Sequence, residues 1–292
     1  MPLTISIIIP SYNRAAIIGK TIDSFITQDY KHWEMFVVDD HSTDNTKEVI
    51  ERYQKVDSRI HYLLNERKKG AQGARNTGIL HSNSEMVLLF DSDNIAHSDM
   101  LQELVGGLRP GIDVVSCFSN VIDINSNCKV ETFEWINEGN IHKNLFSWLS
   151  YVDFNQAIVK KSKLVDIGLL DEDCPSMQEW DTHIRLSKSA IYTTIKKPLL
   201  DYYVNGDDTI TSDSRREVKG YMYVLKKHQQ EWKEDVNDLN WMINRLYFKI
   251  RMVDDIMFRI KYIIKLSTIA PITLKIVSKY RVDYLKRKLR VL

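Results

Sequence analysis

The chain has 292 residues, 43% apolar and 27% charged, which suits a soluble globular protein with one large domain or one domain plus an appendage. Its three cysteines, Cys117, Cys128 and Cys174, are too widely spaced for a disulfide framework or a zinc site. No basic-then-apolar leader opens the chain and no window reaches the roughly 18 apolar residues of a bilayer span, so the cytoplasm is the expected compartment. The net charge of +1 hides a split: 13 Lys/Arg stand against 3 Asp/Glu from Trp241 onward, leaving 27 against 36 before it. That asymmetry predicts a basic tail with a partner of its own.

Taken in order, residues 5–10 are strongly β-forming and run into a loop, Pro10-Ser11-Tyr12-Asn13-Arg14, followed by a helix over about 15–27. A second apolar strand over 33–38 ends on Asp39 and Asp40, and Ser42, Thr43 or Asp44 can cap the helix that carries Val49 and Tyr53. A third strand is predicted over 60–64, then a polar loop and a helix over 72–81. Val87-Leu88-Leu89-Phe90 reads as a strand buried on both faces, and it meets Asp91-Ser92-Asp93 as it leaves the sheet. Strands alternating with helices predict an α/β fold with a parallel, doubly wound sheet. Right-handed crossovers then place the carboxyl ends on one edge, where ligands of such sheets sit. Asp39, Asp40, Asp91 and Asp93 would gather there. Two Asp side chains spaced i and i+2 can hold Mg2+ or Mn2+ and leave coordination sites for substrate phosphates. They can equally form an Asp-rich turn and helix cap. No Gly-x-Gly-x-x-Gly, phosphate-binding Gly-Lys-Ser/Thr loop or Gly-x-Ser-x-Gly elbow is present.

Further on, a strand over 114–118 and a hairpin turn at 123–127 precede Trp135, Phe146, Trp148, Tyr151 and Phe154, with Asn155 and Gln156. Aromatic faces with amides suit sugar rings, and they also suit an ordinary core. Glu179 and Asp181 open a helix over 180–188, where acids favour the dipole in any case. After Ser212 the chain reads as helical. From Trp241 apolar residues recur at Ile243, Leu246, Tyr247, Ile250, Val253, Met257, Ile260 and Ile264, with cations between them. This basic, amphipathic segment fits an anionic membrane surface, or a helical hairpin packed on protein. Nucleic acid is a poor partner, since the cations are interleaved with apolar residues and no nucleic-acid motif is present.

Together, the segments at 7–14, 37–44, 73–78, 90–93 and 178–186 resemble, in order and spacing, a family 2 glycosyltransferase of the GT-A fold, of the bacterial surface-polysaccharide type. The resemblance covers about 3–215 and implies a Rossmann-like, mostly parallel sheet flanked by helices. It implies a catalytic domain over 1–215, with a nucleotide-binding half over about 1–97 and an acceptor-binding half over 98–215, ahead of a helical region over 216–292. It implies an inverting transferase moving a sugar from a nucleotide-sugar donor, expected to be a UDP-hexose, to a saccharide acceptor. A lipid-diphosphate-linked glycan at the inner face of the plasma membrane fits that pattern. Carried over residue by residue, Pro10, Ser11, Tyr12 and Arg14 would meet the nucleotide, Asp40 the uracil imide with Asp39 in support, and Arg75 the phosphates. Asp91 and Ser92 would lie at the ribose and sugar, Asp93 would bind Mn2+ or Mg2+ with Asp91 assisting, and Glu179 would be the base with Asp181 the runner-up. Trp148 and Trp180 are the candidate acceptor contacts. The chain departs from the family at Asn205, where a metal-completing His is expected; Asp207 or Asp208 could substitute. Two other functions stay open: a sugar-1-phosphate nucleotidyltransferase, and a non-catalytic sugar-nucleotide-binding protein.

Overall fold

The structure, a computed structural model, describes residues 2–204 and 213–269. The chain forms two compact units, one of Met1–Asp173 with Gln178–Thr209, the other of Cys174–Met177 with Ile210–Leu292. Asn205, Asp207 and Asp208 lie outside the described residues.

The first unit is built on one sheet. Strand β1 (Ile5–Ser11) lies between β2 (Trp33–Asp39) and β4 (Met86–Leu89), parallel to both, and β3 (Ile60–Leu64) adds a parallel edge beyond β2. Ile5, Ile7, Ile8 and Ile9 are wholly buried, as expected of a strand covered on both faces. Helices α1 (Ile18–Ile26), α2 (Thr46–Val56) and α3 (Ala71–His81) alternate with these strands. Helix α1 starts three residues later than its pattern predicts. Asn13 takes a left-handed φ of 52°, and the amides of both Ile17 and Ile18 donate to the Arg14 carbonyl, so 14–17 is spent on a turn.

The expected parallel sheet holds from β3 to β4; beyond β4 the sheet is mixed. Strand β8 (Ala157–Lys160) joins β4 antiparallel, and β6 (Val114–Asp123) joins β8 antiparallel. The long β9 (Tyr192–Val204) then runs parallel to β6 and antiparallel to the short β5 (Ile95–Ala96). Strand β7 (Cys128–Phe133) forms the predicted hairpin with β6, where the Asp123 carboxylate accepts from the amides of Asn125 and Ser126. Helices α4 (Met100–Gly107), α5 (His142–Phe146), α6 (Lys161–Asp166) and α7 (Gln178–Leu186) complete this unit.

The second unit is helical: α8 (Ser214–Lys227), α9 (Gln229–Trp232), α10 (Val236–Met252) and α11 (Ile256–Ile269). Asp213 caps α8 and Asp235 caps α10 through backbone amides. The 174–177 segment docks on α8, with Arg216 Nε donating to the Pro175 carbonyl and Ser176 Oγ to that of Arg216. The apolar stripe read from the sequence does not continue as one face. Ile243, Leu246, Ile250 and Val253 are buried in the unit, whereas Met257, Ile260 and Ile264 are exposed. The helix breaks after Met252, and Asp255 accepts from the Phe258 amide to open α11, so the phase of the pattern resets. No described helix is long and apolar enough to cross a membrane.

One packing contact fixes how closely α3 lies on the sheet. A Cβ at Gly78 would stand 2.4 Å from Cγ2 of Ile8 and 3.2 Å from Cγ2 of Val38, both in buried strands. Gly78→Val is therefore expected to lower stability by about 1–3 kcal/mol, the usual cost of overpacking. Chemical denaturation reads this directly; an unchanged midpoint would mean that α3 does not pack this tightly.

Candidate functional site

The carboxyl ends of β1, β2 and β4 deliver the sequence-predicted residues to one edge of the sheet. Ser11 pairs in register with Asp39, and the Asp40 amide donates to the Ser11 carbonyl at 2.8 Å. Asp39 is consumed within the protein: one carboxylate oxygen accepts from the Ser42 amide at 2.9 Å and the other from the Tyr62 hydroxyl at 3.0 Å. Asp40 is buried in a second knot. Asn65 Nδ2 donates to one oxygen at 2.6 Å and the Gly70 amide to the other at 2.8 Å. Gly70 sits at φ 128°, ψ 164°, a conformation open to glycine alone, so the residue type there follows from the bond to Asp40. Tyr12 is exposed, with Lys69 Nζ 4.9 Å from its ring centre. Pro10 is half-buried beside it at the strand end.

A second group forms around Asp91, where β4 has just ended. Arg75, buried on α3, donates from Nη2 to one oxygen of Asp91 at 2.5 Å. Asn155 holds the other side: its Nδ2 donates to the second oxygen at 2.9 Å, while its Oδ1 accepts from the Asp91 amide at 2.6 Å. Arg75 is itself fixed by Gln72 Oε1 at 2.7 Å and by the Phe154 ring, whose centre lies 4.9 Å from the guanidinium carbon. In the sequence Asn155 is one of two amides suited to a sugar. The structure makes it a clamp, and Gln156 donates to Ser119 at 2.9 Å, so it too is occupied within the fold.

Asp153 escaped the sequence reading. It caps the 3-10 turn Phe154–Gln156 in a capping box, accepting from the Asn155 amide, and Asn155 Nδ2 bridges it to Asp91. The spacing Asp-x-x-Gln was the legible signal for that cap. Asp153 feels Asp91, and burial followed by that repulsion raises its pKa to about 6. Asp93 reaches solvent at the rim, yet the protein mass around it and then Asp91 raise its pKa to about 6, opposed by Arg14 and Arg75. Glu179, half-buried in the first turn of α7, is pushed up to about 7, by desolvation first and then by Asp153. Tyr202 on β9 feels Asp153, Asp91, Glu179 and Asp93, and its pKa too is raised, chiefly by burial. Four carboxylates and two guanidiniums, Arg14 and Arg75, therefore share one electrostatic neighbourhood. Ser92 is buried between the two acids that flank it in sequence.

Other expected members are placed differently. Asp181 is wholly buried and bonded to Arg185 Nε at 2.9 Å, and that guanidinium also donates to the carbonyls of Ile167 and Leu169. This pairing positions the loop before α7. Trp180 is 1% exposed and its indole N–H donates to the Leu145 carbonyl at 2.9 Å, so its ring is core. Trp148 packs edge-on against it, ring centres 4.9 Å apart, and stays half-buried beside Tyr151, whose ring in turn meets Trp135.

Metal and ligand chemistry follow from these donors. Among the described residues no three His, Cys, Asp or Glu side chains converge as a protein-only metal site. Asp93 with Asp91 still fits a hard cation of the Mg2+ type, which takes one or two carboxylates and completes its shell with water and substrate phosphates. Ser11 Oγ, Gln72 Nε2 and Arg75 Nε are buried donors without a hydrogen-bond partner and could meet acceptor oxygens of a ligand.

Against known proteins, residues 6–167 match the family described as glycosyl transferase family 2. The chain is 30% identical over 214 residues to the amylovoran biosynthesis glycosyltransferase AmsB of Erwinia amylovora, covering 69% of this chain and 70% of that one. It is 36% identical over 129 residues to the Escherichia coli UDP-Glc:alpha-D-GlcNAc-diphosphoundecaprenol beta-1,3-glucosyltransferase WfgD, covering 44% of this chain and 50% of the relative. Matches to three of the curated relatives span only between 39% and 50% of their lengths. Among solved structures, S. aureus TarS 1–349 with UDP-GlcNAc superposes with a TM-score of 0.60 at 17% identity, over 87% of this chain and 68% of that one. The Pyrobaculum calidifontis mannosyltransferase PcManGT with GDP-Man and Mn2+ gives 0.63 at 17% identity, over 96% and 80%. These likenesses show the GT-A type of fold, and the family match, spanning more than half of the chain, identifies this protein as a member of glycosyl transferase family 2.

Proposed function

We propose that this protein transfers a hexose from a nucleoside-diphosphate sugar to a hydroxyl of a saccharide acceptor, with inversion at the anomeric carbon. The observation that carries this reading is the grouping of Glu179 with Asp91, Asp93, Asp153, Arg14 and Arg75, tied through helix α3 to the Asp40–Asn65–Gly70 knot. The donor lies in the half over 1–97. Pro10, Ser11 and Tyr12 line the nucleoside pocket, and Asp40 keeps a lone pair on each oxygen for a base N–H. Asp39 supports the loop that follows. Asp91 and Ser92 face the ribose and sugar, while Arg14 and Arg75 meet the phosphates. Asp93 with Asp91 would hold Mg2+ or Mn2+, which supplies Lewis-acid stabilisation of the departing diphosphate.

Glu179 accepts the acceptor hydroxyl's proton as that oxygen attacks the anomeric carbon from the face opposite the diphosphate. The new C–O bond forms as the bond to the diphosphate oxygen breaks, so one displacement inverts the centre. Asp181, paired with Arg185, keeps α7 in place. On the acceptor half, over 98–215, Trp148 with Trp135 and Tyr151 offers the sugar-facing aromatics, and Trp180 backs Trp148 from the core. The donor is a UDP-sugar and the acceptor a lipid-diphosphate-linked glycan at the inner membrane face; the UDP-Glc donor and diphosphoundecaprenol acceptor of WfgD and the UDP-GlcNAc bound to TarS support the donor and the lipid carrier, and the surface-polysaccharide role of AmsB supports the setting.

Glu179→Gln is expected to lower kcat by about 10^2- to 10^4-fold, the usual worth of a positioned base, while UDP binding by calorimetry holds. Near-normal turnover in that variant would remove Glu179 from the mechanism. The pH dependence has a definite sign. Glu179 works as the carboxylate, so with a pKa of about 7 the value of kcat/KM should fall on the acid side of neutrality, about tenfold per pH unit well below it. An acid limb centred near 4 would contradict the burial that raises it. Asn155→Ala removes one side of the Asp91 clamp and leaves the Asp91 amide unpaired. It should cost about 1–3 kcal/mol of stability and weaken Mn2+-dependent UDP binding, a second readout that ordinary destabilisation would not move below the melting temperature.

A further inference from the structure

The second unit leaves a set of large apolar side chains in water. On α11, Ile256, Met257, Ile260 and Ile264 are 70, 70, 48 and 59% exposed, and Phe248 and Met252 near the end of α10 are 55 and 60% exposed. The spacing 256, 260, 264, with 257 beside it, puts the α11 residues on one stripe. Tyr262 and Leu266 occupy the other side and are buried. The helix thus spends one apolar face on its own unit and has a second left over. This second face is distinct from the Ile243, Leu246, Ile250 and Val253 run, which the unit's own core consumes.

Cations border the surplus face. Lys261 and Lys265 each follow an exposed isoleucine by one residue and are exposed themselves. Arg245 and Arg251 are exposed on α10. Of the nearby acids, Asp255 is committed to Arg215 at 3.0 Å and to the Phe258 amide, leaving Asp254 as the exposed carboxylate at this end. The chain beyond α11, residues 270–292, carries seven further Lys/Arg against one Asp.

We propose that α11, with the end of α10, docks on an anionic membrane surface. The isoleucines and methionines enter the headgroup–acyl boundary and the lysines lie among lipid phosphates. Charge selects this occupant. A second copy meeting the same face would set its lysines against their own equivalents, and the chain's basic end carries the same sign as the face. An anionic lipid surface satisfies the apolar stripe and the cations together. The proposal stands on this face alone and is independent of the sugar-transfer reading.

Flotation of the full chain with vesicles tests it, comparing phosphatidylcholine alone with an equal mixture of phosphatidylcholine and phosphatidylglycerol. The expected result is binding to the anionic mixture that salt weakens. A double variant, Ile260→Glu with Ile264→Glu, should lose on the order of tenfold or more of that binding. Its melting temperature and UDP affinity should stay unchanged, because both positions are exposed. Lys261→Glu with Lys265→Glu should weaken binding and flatten its salt dependence. Failure of the wild type to float overturns the proposal. So does full binding by the isoleucine variant, or a dimer in solution that the isoleucine variant abolishes.

Discussion

The carboxylate of Asp91 is held from two sides, by Arg75 of α3 and by Asn155 of the turn that feeds β8. This is the joint that ties the acidic cluster to the fold, because its partners come from segments 16 and 64 residues away in the chain. The constraint is electrostatic. Asp91, Asp93, Asp153 and Glu179 crowd a region whose nearby positive groups are Arg14 and Arg75. Buried charge is tolerated only when it is paired and hydrogen-bonded. Pairing Asp91 meets that condition for one acid. The excess left on the others is what protonation relieves, and what the positive charge of a divalent cation would offset.

Helix α3 wires this together. Most helices bury apolar residues on one face, but α3 buries Gln72, Arg75, Asn76 and Thr77. Thr77 Oγ1 donates to Asn65, whose amide reaches Asp40. Asn76 exchanges hydrogen bonds with the backbone of Leu170 and donates to Glu172, which also pairs with Arg67. Arg75 reaches Asp91. One helix thus holds the Asp40 knot, the acidic cluster and the loop leading to α7. Its close seating needs small residues: a Cβ at Gly73 would fall 1.9 Å from the Lys68 carbonyl oxygen. A helix of this kind gains little from burial of its own and is stabilised by satisfied polar contacts, which makes each of them costly to remove.

Much of this was legible. Strands β1 to β4 and the carboxylates at their ends follow from short apolar runs that stop at Asp, and their gathering follows from right-handed crossovers. What the sequence hid was pairing. Asp181 and Glu179 look alike in the chain, two residues apart on one helix. Only the position of Arg185, one turn further on, and the carbonyls of Ile167 and Leu169 make Asp181 a packing residue. Trp180 and Trp148 are likewise equivalent in sequence, and the Leu145 carbonyl decides which is core. Asn155 and Asp153 were hidden because their partner lies more than 60 residues away. The C-terminal stripe misled for a simpler reason: a three-residue break between α10 and α11 shifts the phase, and periodicity read across a break assigns two faces to one.

Glu179 stands on a locked turn. Within the first turn of α7, Gln178, Trp180 and Asp181 are all buried, and Glu179 alone is half-buried. Trp180 and Asp181 are each tied by a hydrogen bond of 2.9 Å, so the helix start has little freedom to rotate. A carboxylate on so fixed a support would need little reorganisation to meet a hydroxyl, and such positioning is what gains rate. The same burial that locks the turn raises the basicity of Glu179, since protein mass on one side disfavours its charge. Position and proton affinity therefore have a single origin, the packing of α7, and a residue at this point of the turn could not easily acquire one without the other.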